Sequence, residues 1–173
     1  MATRGRVAVA GDTFAVEGLS WMDHEWGTSQ LSEGQVGWDW FSLHLDDGRE
    51  LMLYRLRLRD GSSEPFSSGT LVARDGRAQH LALADFTLAG DAPWKSPVTG
   101  GSYPLRWRVR VPAHGLDLTV EPLVRSQEMV SPPPIPLAYW EGAVRASGTA
   151  NGRRITGTGY LELTGYAGAL PGF

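Results

Sequence analysis

The stretch that decides the fold is VGWDWFSLHLDDGRELMLYRLRLR, residues 36–59 of a chain of 173 residues. Two segments in which apolar and polar side chains alternate, residues 36–45 and 49–59, flank the sequence Asp-Asp-Gly at residues 46–48. Alternation with a period of two is typical of β-strands, and an Asp-Gly pair suits the positive φ angles of a tight turn. This stretch therefore predicts a hairpin of two long antiparallel strands.

Similar segments follow one another along the rest of the chain, whereas helical periodicity is nearly absent. Residues 90–102 contain Pro93, Pro97 and three glycines, and this composition predicts an irregular crossing rather than a strand. The further predicted strand pairs are residues 6–10 with 13–18, 70–74 with 77–83, 103–111 with 116–120, and 139–147 with 155–166.

These segments predict an all-β fold, an antiparallel up-and-down β-barrel of about ten strands with little helix; a two-sheet sandwich is the alternative. Closing the sheet removes the exposed edges that long strands would otherwise present. The length fits one domain, so we expect a single domain over residues 1–173. Its N-terminal hairpin and connection would occupy residues 1–34, and the barrel residues 35–173. A barrel of about eight to ten strands has room for a small ligand.

Composition narrows the classes of partner. The formal net charge is −3 and the arginines are spread along the chain, so the sequence has no basic patch of the kind that binds nucleic acids. The absence of cysteine excludes disulfides and thiolate metal sites. No apolar run approaches the roughly 20 residues of a membrane span, and the start lacks the apolar core of a signal peptide. We expect a soluble protein, cytoplasmic as written, or secreted or periplasmic where a leader has been removed.

An acid–imidazole–acid run, Asp23, His24 and Glu25, stands between Trp21 and Trp26. Such side chains are costly to bury unless they are paired, hydrogen-bonded or put to use in catalysis. We take the three as candidate acid–base residues. The alternative, a hydrogen-bonded network that holds a long connection in place, stays open. No histidine has the spacing of a metal ligand, so we expect neither a metal nor another cofactor.

Aromatic side chains on the strands are the candidate ligand-binding residues. Trp38 and Trp40 share one face of the first strand of the central hairpin, with Tyr54 on the second strand. They either line an apolar cavity or pack in the core. Glu141 either pairs with Arg145 on the outside or enters the cavity beside a tyrosine. The full candidate set is Trp26, Trp38, Trp40, Tyr54, Trp107, Tyr139 and Glu141.

Four blocks of the sequence resemble the AttH-like and carotenoid 1,2-hydratase (hydroxyneurosporene synthase) family of lipocalin-like proteins. They occur in the family's order, as SWMDHEWGTSQ, GWDWFSLHLDDGRELMLYRLR, YWEGAVRASG and GTGYLELTGY. Members usually have two lipocalin-like barrel domains, so the resemblance implies that this chain corresponds to the second domain with the closing hairpin of the first. Three interpretations stay open: a missing first domain, a homodimer that replaces it, and a natural single-domain relative.

The resemblance implies a pocket for an apolar molecule of isoprenoid or polyketide type, and in the hydratase branch an acid-catalysed addition of water to a C=C bond. His24 and Trp26 match a His-x-Trp pair of the family, and Tyr54 matches the tyrosine of its Tyr-x-Asp pair. Leu56 stands where that pair has its acid. A proton donor would therefore have to come from Asp23 or Glu25.

We accordingly predict that the chain binds an apolar small molecule. Hydration, isomerisation or cyclisation of a C=C system is the candidate chemistry, which would make the protein an enzyme of the hydratase, lyase or cyclase type. Whether it is an enzyme stays open, because a non-catalytic carrier of hydrophobic ligands, or an interaction module lacking its partner domain, would have the same aromatic strands.

Overall fold

The computed structural model describes residues 1–24, 26, 31–132 and 137–168. By its contacts the chain divides into two compact units, residues 1–30 and residues 31–173. The assignment of residues 1–173 to one domain stays a prediction. Within the described ranges, no helix is long and apolar enough to cross a membrane.

The first unit is an antiparallel hairpin, and it confirms the strand pair predicted at the N-terminus. Strand β1, Ala2–Val9, pairs with strand β2, Asp12–Leu19, along their whole lengths. The turn consists of Ala10 and Gly11, both with positive φ, so it begins one residue before residues 11–12, which separate the two predicted strands. Every residue of the two strands is exposed.

The second unit is a curled antiparallel sheet, which confirms the all-β fold of about ten strands. The strands are β3 Gln35–Leu45, β4 Glu50–Leu58, β5 Ser68–Val72, β6 Ala78–Ala82, β7 Thr87–Lys95, β8 Ser102–Val111, β9 Leu116–Pro122, β10 Glu128–Val130, β11 Ala138–Ala150 and β12 Arg153–Thr164. Along the sheet the order is β6, β5, β4, β3, β12, β11, β9, β8 and β7, and β10 pairs with β11. In the described part of the chain no ladder joins β6 to β7, so the sheet forms a half-barrel rather than a closed one.

The predicted irregular crossing over residues 90–102 is wrong in its first half, because β7 continues to Lys95. Strand β7 is an edge strand, and an edge strand tolerates proline because one side of its ladder carries no partner. Pro93 lies opposite Pro104 of β8. Gly90 leaves room for the Trp107 ring, since a Cβ at this glycine would lie 3.0 Å from it. The proline is therefore explained by the position of β7 at the edge of the sheet, and the glycine by the close approach of β7 to the Trp107 ring.

The core covers one face of the sheet. Strand β8 shows why: Leu105, Trp107 and Val109 are fully buried and alternate with the exposed Arg106 and Arg108, as the period-two pattern predicts. The buried apolar cluster fills this face with side chains from strands β3, β4, β5, β6, β8, β9, β11 and β12, together with Phe86, which immediately precedes β7. Its members are Phe41, Leu43, Leu45, Leu51, Leu53, Leu71, Leu81, Phe86, Tyr103, Leu105, Trp107, Val109, Val111, Leu116, Leu118, Val120, Trp140, Val144, Ala146, Ile155, Leu161 and Leu163.

Candidate functional site

The face of the sheet opposite the core carries a concentration of aromatic and acidic side chains on strands β4, β3, β12 and β11. Phe41 and Leu43 of β3 point into the core, whereas Trp38 and Trp40 of the same strand are half-buried on the opposite side. We call this surface the aromatic–carboxylate face. Its members are Trp38, Trp40, Tyr54, Tyr139, Glu141, Tyr160 and Glu162.

The register of four strands places part of this face in one row. Tyr54 of β4 lies opposite Trp40 of β3, which lies opposite Glu162 of β12. Glu162 in turn lies opposite Glu141 of β11. Residues directly opposite each other in antiparallel strands have Cβ atoms about 4.5–5.5 Å apart. Two aromatic rings and two carboxyl groups are therefore neighbours on one surface.

Hydrogen bonds orient the carboxyl groups of this row. The Trp38 indole Nε1 donates to Glu162 Oε1 at 3.1 Å. Glu141 shares a side-chain hydrogen bond with Tyr139, so it lies beside the tyrosine, while Arg145 pairs instead with Glu121 at 3.5 Å. The Glu141 side chain therefore lies beside Tyr139, and Arg145 has Glu121 as its partner instead.

Tyr139 and Tyr160 both have a raised pKa. Burial is the largest cause in each, and the neighbouring Glu141 and Glu162 carboxylates raise the pKa further, since a phenolate beside a carboxylate is unfavourable. Both phenols are protonated at neutral pH, as ordinary tyrosines are, and the raised pKa keeps them protonated at higher pH as well. They are available as neutral hydrogen-bond donors around the two carboxyl groups.

Five of the candidate ligand-binding residues lie together on the aromatic–carboxylate face: Trp38, Trp40, Tyr54, Tyr139 and Glu141. Trp107 lies on the other side of the sheet. It is 1% exposed in the core, packs edge-on against Phe41 at 5.3 Å between ring centroids, and donates from Nε1 to the Pro104 carbonyl at 2.8 Å. The structure thus separates Trp107 from the other strand aromatics.

The remaining candidates belong to the first unit. Asp23 is exposed and accepts a hydrogen bond from the Trp21 indole at 3.0 Å. The His24 and Trp26 rings lie 4.8 Å apart, and Trp26 is 79% exposed. Glu25 lies outside the described residues. The acid–base role of Asp23, His24 and Glu25 stays a prediction.

The sequence reasoning missed a buried ionic network centred on Asp39. This carboxylate is fully buried on the core side of β3, where Arg55 Nη2 approaches Oδ2 to 2.6 Å. The Tyr166 hydroxyl donates to Oδ1 at 2.7 Å. Arg57 Nε lies 3.4 Å from Asp39 Oδ1, and the Arg57 guanidinium carbon lies 3.9 Å from the centroid of the Tyr166 ring. The sequence contains one indication of this network, because Asp39 is an acidic residue on the same face of an alternating strand as Phe41 and Leu43.

A second polar cluster surrounds Glu128 of β10. Its carboxylate accepts hydrogen bonds from Tyr103 Oη at 2.9 Å, from Thr99 Oγ1 at 2.5 Å, and from Ser96 Oγ. The Tyr103 and Tyr166 rings lie 5.6 Å apart and connect this cluster to Asp39. Burial is the main cause that raises the pKa of both tyrosines.

Stability should fall when the pH rises above about 10, because the pKa of Tyr103 and Tyr166 is raised in the folded state. Unfolded tyrosines lose their protons near the ordinary value of 10.0, whereas the folded ones keep them, so ionisation favours unfolding only above that pH. Lys95 is the only lysine, which leaves tyrosine as the main titrating group in this range. Urea midpoints measured from about pH 8 to about pH 11 should stay level and then decline.

The double variant Tyr103→Phe/Tyr166→Phe is the control for this pH dependence, since it should show a shallower decline. A wild-type midpoint that stays constant over the whole range would contradict the assignment.

Metal binding has no geometric support among residues 1–24, 26, 31–132 and 137–168. No group of three or more His, Cys, Asp or Glu side chains in these ranges could hold a metal ion. The chemistry that the aromatic–carboxylate face offers is acid–base chemistry beside aromatic rings.

Comparison with known proteins places the chain among AttH-like proteins, whose family model matches residues 1–166. An AttH protein of Nitrosomonas europaea has a similar crystal structure, with 32% identity, a TM-score of 0.84, and coverage of 95% of this chain and 49% of that one. Kievitone hydratase of Nectria haematococca has the same fold at 20% identity and a TM-score of 0.75, covering 95% of this chain and 50% of that one.

A curated relative at the sequence level is the dehydratase asqC of Emericella nidulans. It is 24% identical over 168 residues, which are 93% of this chain and 47% of the relative. The chain therefore spans about half the length of each of these proteins.

Proposed function

This chain belongs to the AttH-like family, and we propose that it binds an apolar small molecule on the aromatic–carboxylate face and adds or removes water at a C=C bond of that molecule. The single observation that carries the proposal is the row in which Tyr54, Trp40, Glu162 and Glu141 follow one another across four strands. The ligand would be of isoprenoid or polyketide type. A relative that is a dehydratase supports this class of reaction.

The aromatic side chains supply the binding surface. Trp40 and Tyr54 lie directly opposite each other, and half-buried rings of this kind offer apolar contact without being committed to the core. Their faces also attract positive charge, so they would stabilise the carbocation that forms when an alkene carbon accepts a proton. The core side of the sheet is filled by buried side chains, which favours the opposite face as the place of the ligand.

The two glutamates supply the proton chemistry. Glu141 and Glu162 lie directly opposite each other on neighbouring strands, so one carboxyl could act as the acid and the other as the base on the same ligand. In hydration, the protonated carboxyl gives its proton to one alkene carbon and forms the C–H bond. Water then forms the C–O bond at the other carbon, and its proton passes to the second carboxylate. Dehydration runs through the same steps in reverse.

The run Asp23, His24 and Glu25 remains a second proposed acid–base group. Asp23 and His24 are exposed in the first unit, beside Trp21 and Trp26, where a ligand could reach them. Variants separate the two groups: loss of turnover in Asp23→Asn or Glu25→Gln, without loss in the Glu141 and Glu162 variants, would assign the proton chemistry to the first unit.

Turnover is expected to fall at least about 100-fold in Glu162→Gln and in Glu141→Gln, the size of effect typical of a general acid or base. The substrate probe is a terminally branched alkene of about fifteen carbons in ¹⁸O-water, and the product is an ¹⁸O-labelled alcohol measured by mass spectrometry. Binding of the neutral dye Nile red should be nearly unchanged, because the rings remain.

Glu121→Gln is the matched control, since Glu121 is another carboxylate of the sheet and pairs with Arg145. It should turn over at the wild-type rate. Wild-type rates in both site variants would refute a catalytic role of the row. A wild-type protein that binds Nile red but makes no labelled alcohol would instead be a carrier.

A further inference from the structure

The backbone of Trp38 is held by a side chain where the regular ladder ends. Strand β12 pairs with β3 up to Leu163 opposite Asp39 and no further. On its other side, β3 has a register shift between Gln35 and Gly37. The Trp38 N–H donates to the Thr164 hydroxyl, Oγ1, at 2.8 Å. A threonine side chain thus takes the place of a strand carbonyl.

Thr164 is itself held from the core side. It is 1% exposed, and its carbonyl oxygen accepts a hydrogen bond from Arg57 Nη2. Arg57 is fixed by the Asp39 carboxylate and by the Tyr166 ring beneath its guanidinium. The buried ionic network therefore anchors the residue that holds Trp38.

Strands β3 and β12 approach each other too closely at Gly37 for a residue with a Cβ atom to fit there. Gly37 has a φ of 153°, and a Cβ at this position would lie 2.4 Å from the Thr164 carbonyl oxygen. The glycine permits Thr164 to reach the Trp38 backbone. Trp38 is then bonded at two points, at its backbone by Thr164 and at its indole by Glu162.

We infer that Thr164 is a positioning residue of the proposed site: through its hydroxyl it places Trp38, and through the Trp38 indole it places the Glu162 carboxylate. Thr164 and Glu162 both belong to β12, so the two bonds close a small ring of contacts around one tryptophan. A β-branched threonine suits this task because its χ1 angle is restricted. The effect on turnover rests on the proposed function, whereas the placement of Trp38 does not.

The test follows the Trp38 indole N–H by NMR in the full chain labelled with ¹⁵N-tryptophan, with Trp38→Phe identifying the resonance. Glu162→Gln changes the acceptor of the Trp38 indole N–H and so shows how the resonance responds when this hydrogen bond is disturbed. In Thr164→Val the resonance should shift in the same direction as in Glu162→Gln. Thr164→Ser keeps a hydroxyl and should restore most of the wild-type position. With the alkene probe, turnover in Thr164→Val should fall about 10-fold with little change in KM.

Thr158→Val makes the same substitution at an exposed position of the same strand, and it should leave the resonance in place. An unmoved Trp38 resonance in a folded Thr164→Val protein would overturn the inference, whatever happens to its unfolding midpoint. If the valine variant does not fold, Thr164→Ala is read in the same way. The resonance does not depend on turnover, so failure of the proposed reaction would leave this result intact.

Discussion

Replacing Asp39 by alanine is expected to lower the free energy of unfolding by about 3–5 kcal/mol, as is typical when one partner of a buried ion pair is removed. Asp39 is fully buried, and the side chains of Arg55 and Arg57 are only 23% and 17% exposed. Without the carboxylate, two largely buried guanidinium groups lose their counter-charge, and the Tyr166 hydroxyl loses its acceptor. Urea unfolding of both proteins measures the difference.

Asp117→Ala is the matched control because Asp117 also pairs with two arginines, Arg108 and Arg110. These pairs are solvent-exposed and screened by water, so their loss should change the unfolding midpoint little. Equal effects of the two substitutions would show that burial does not decide the contribution of the Asp39 network.

Replacing Trp107 by alanine is expected to cost about 3–5 kcal/mol of unfolding free energy, the range for truncating a large aromatic side chain in a core. The ring is 1% exposed, packs on Phe41, lies 5.4 Å below the Arg55 guanidinium, and donates a hydrogen bond to Pro104. The substitution leaves a cavity that the neighbouring strands fill only in part. Chemical unfolding again measures the loss.

Trp40→Ala provides the comparison from the other side of the sheet. Trp40 is half-buried beside Tyr54, and removing a cross-strand contact of this kind should cost about 1 kcal/mol or less. Nile red affinity should fall in Trp40→Ala. It should be retained in Trp107→Phe, which keeps an aromatic ring in the core. The reverse pattern would place the ligand on the core side and would refute the aromatic–carboxylate face as the binding surface.

Local pattern predicted most of the strands. The central hairpin over residues 36–59, the alternation of residues 103–111 and the pairing of the last two long strands all occur as predicted. Turn residues and period-two alternation act over a few residues, so a sequence displays them directly. The error in residues 90–95 came from reading proline and glycine as signs of irregular structure, although an edge strand accommodates both.

The candidate site was predictable only in part. Trp38, Trp40, Tyr54, Tyr139 and Glu141 were chosen from the sequence and lie on one face. Alternation alone does not decide which face of the sheet Tyr160 and Glu162 take, and only the register of β12 beside β3 and β11 places them with Glu141. Trp107 was grouped with the other strand tryptophans, although it alternates with arginines that face solvent, and the structure places it in the core.

By itself the sequence determined which side chains share a face of each strand, which strands form hairpins, and that the fold is built of antiparallel strands. The tertiary structure decided which face of the sheet is buried, since β3 carries apolar bulk on both faces and only packing selects one. The tertiary structure also decided which side chains that are distant in sequence form hydrogen bonds with each other. Tyr166 and Asp39 are 127 residues apart, and Trp38 and Glu162 are 124 apart. Such pairs depend on the pairing of β3 with β12, which no local pattern specifies.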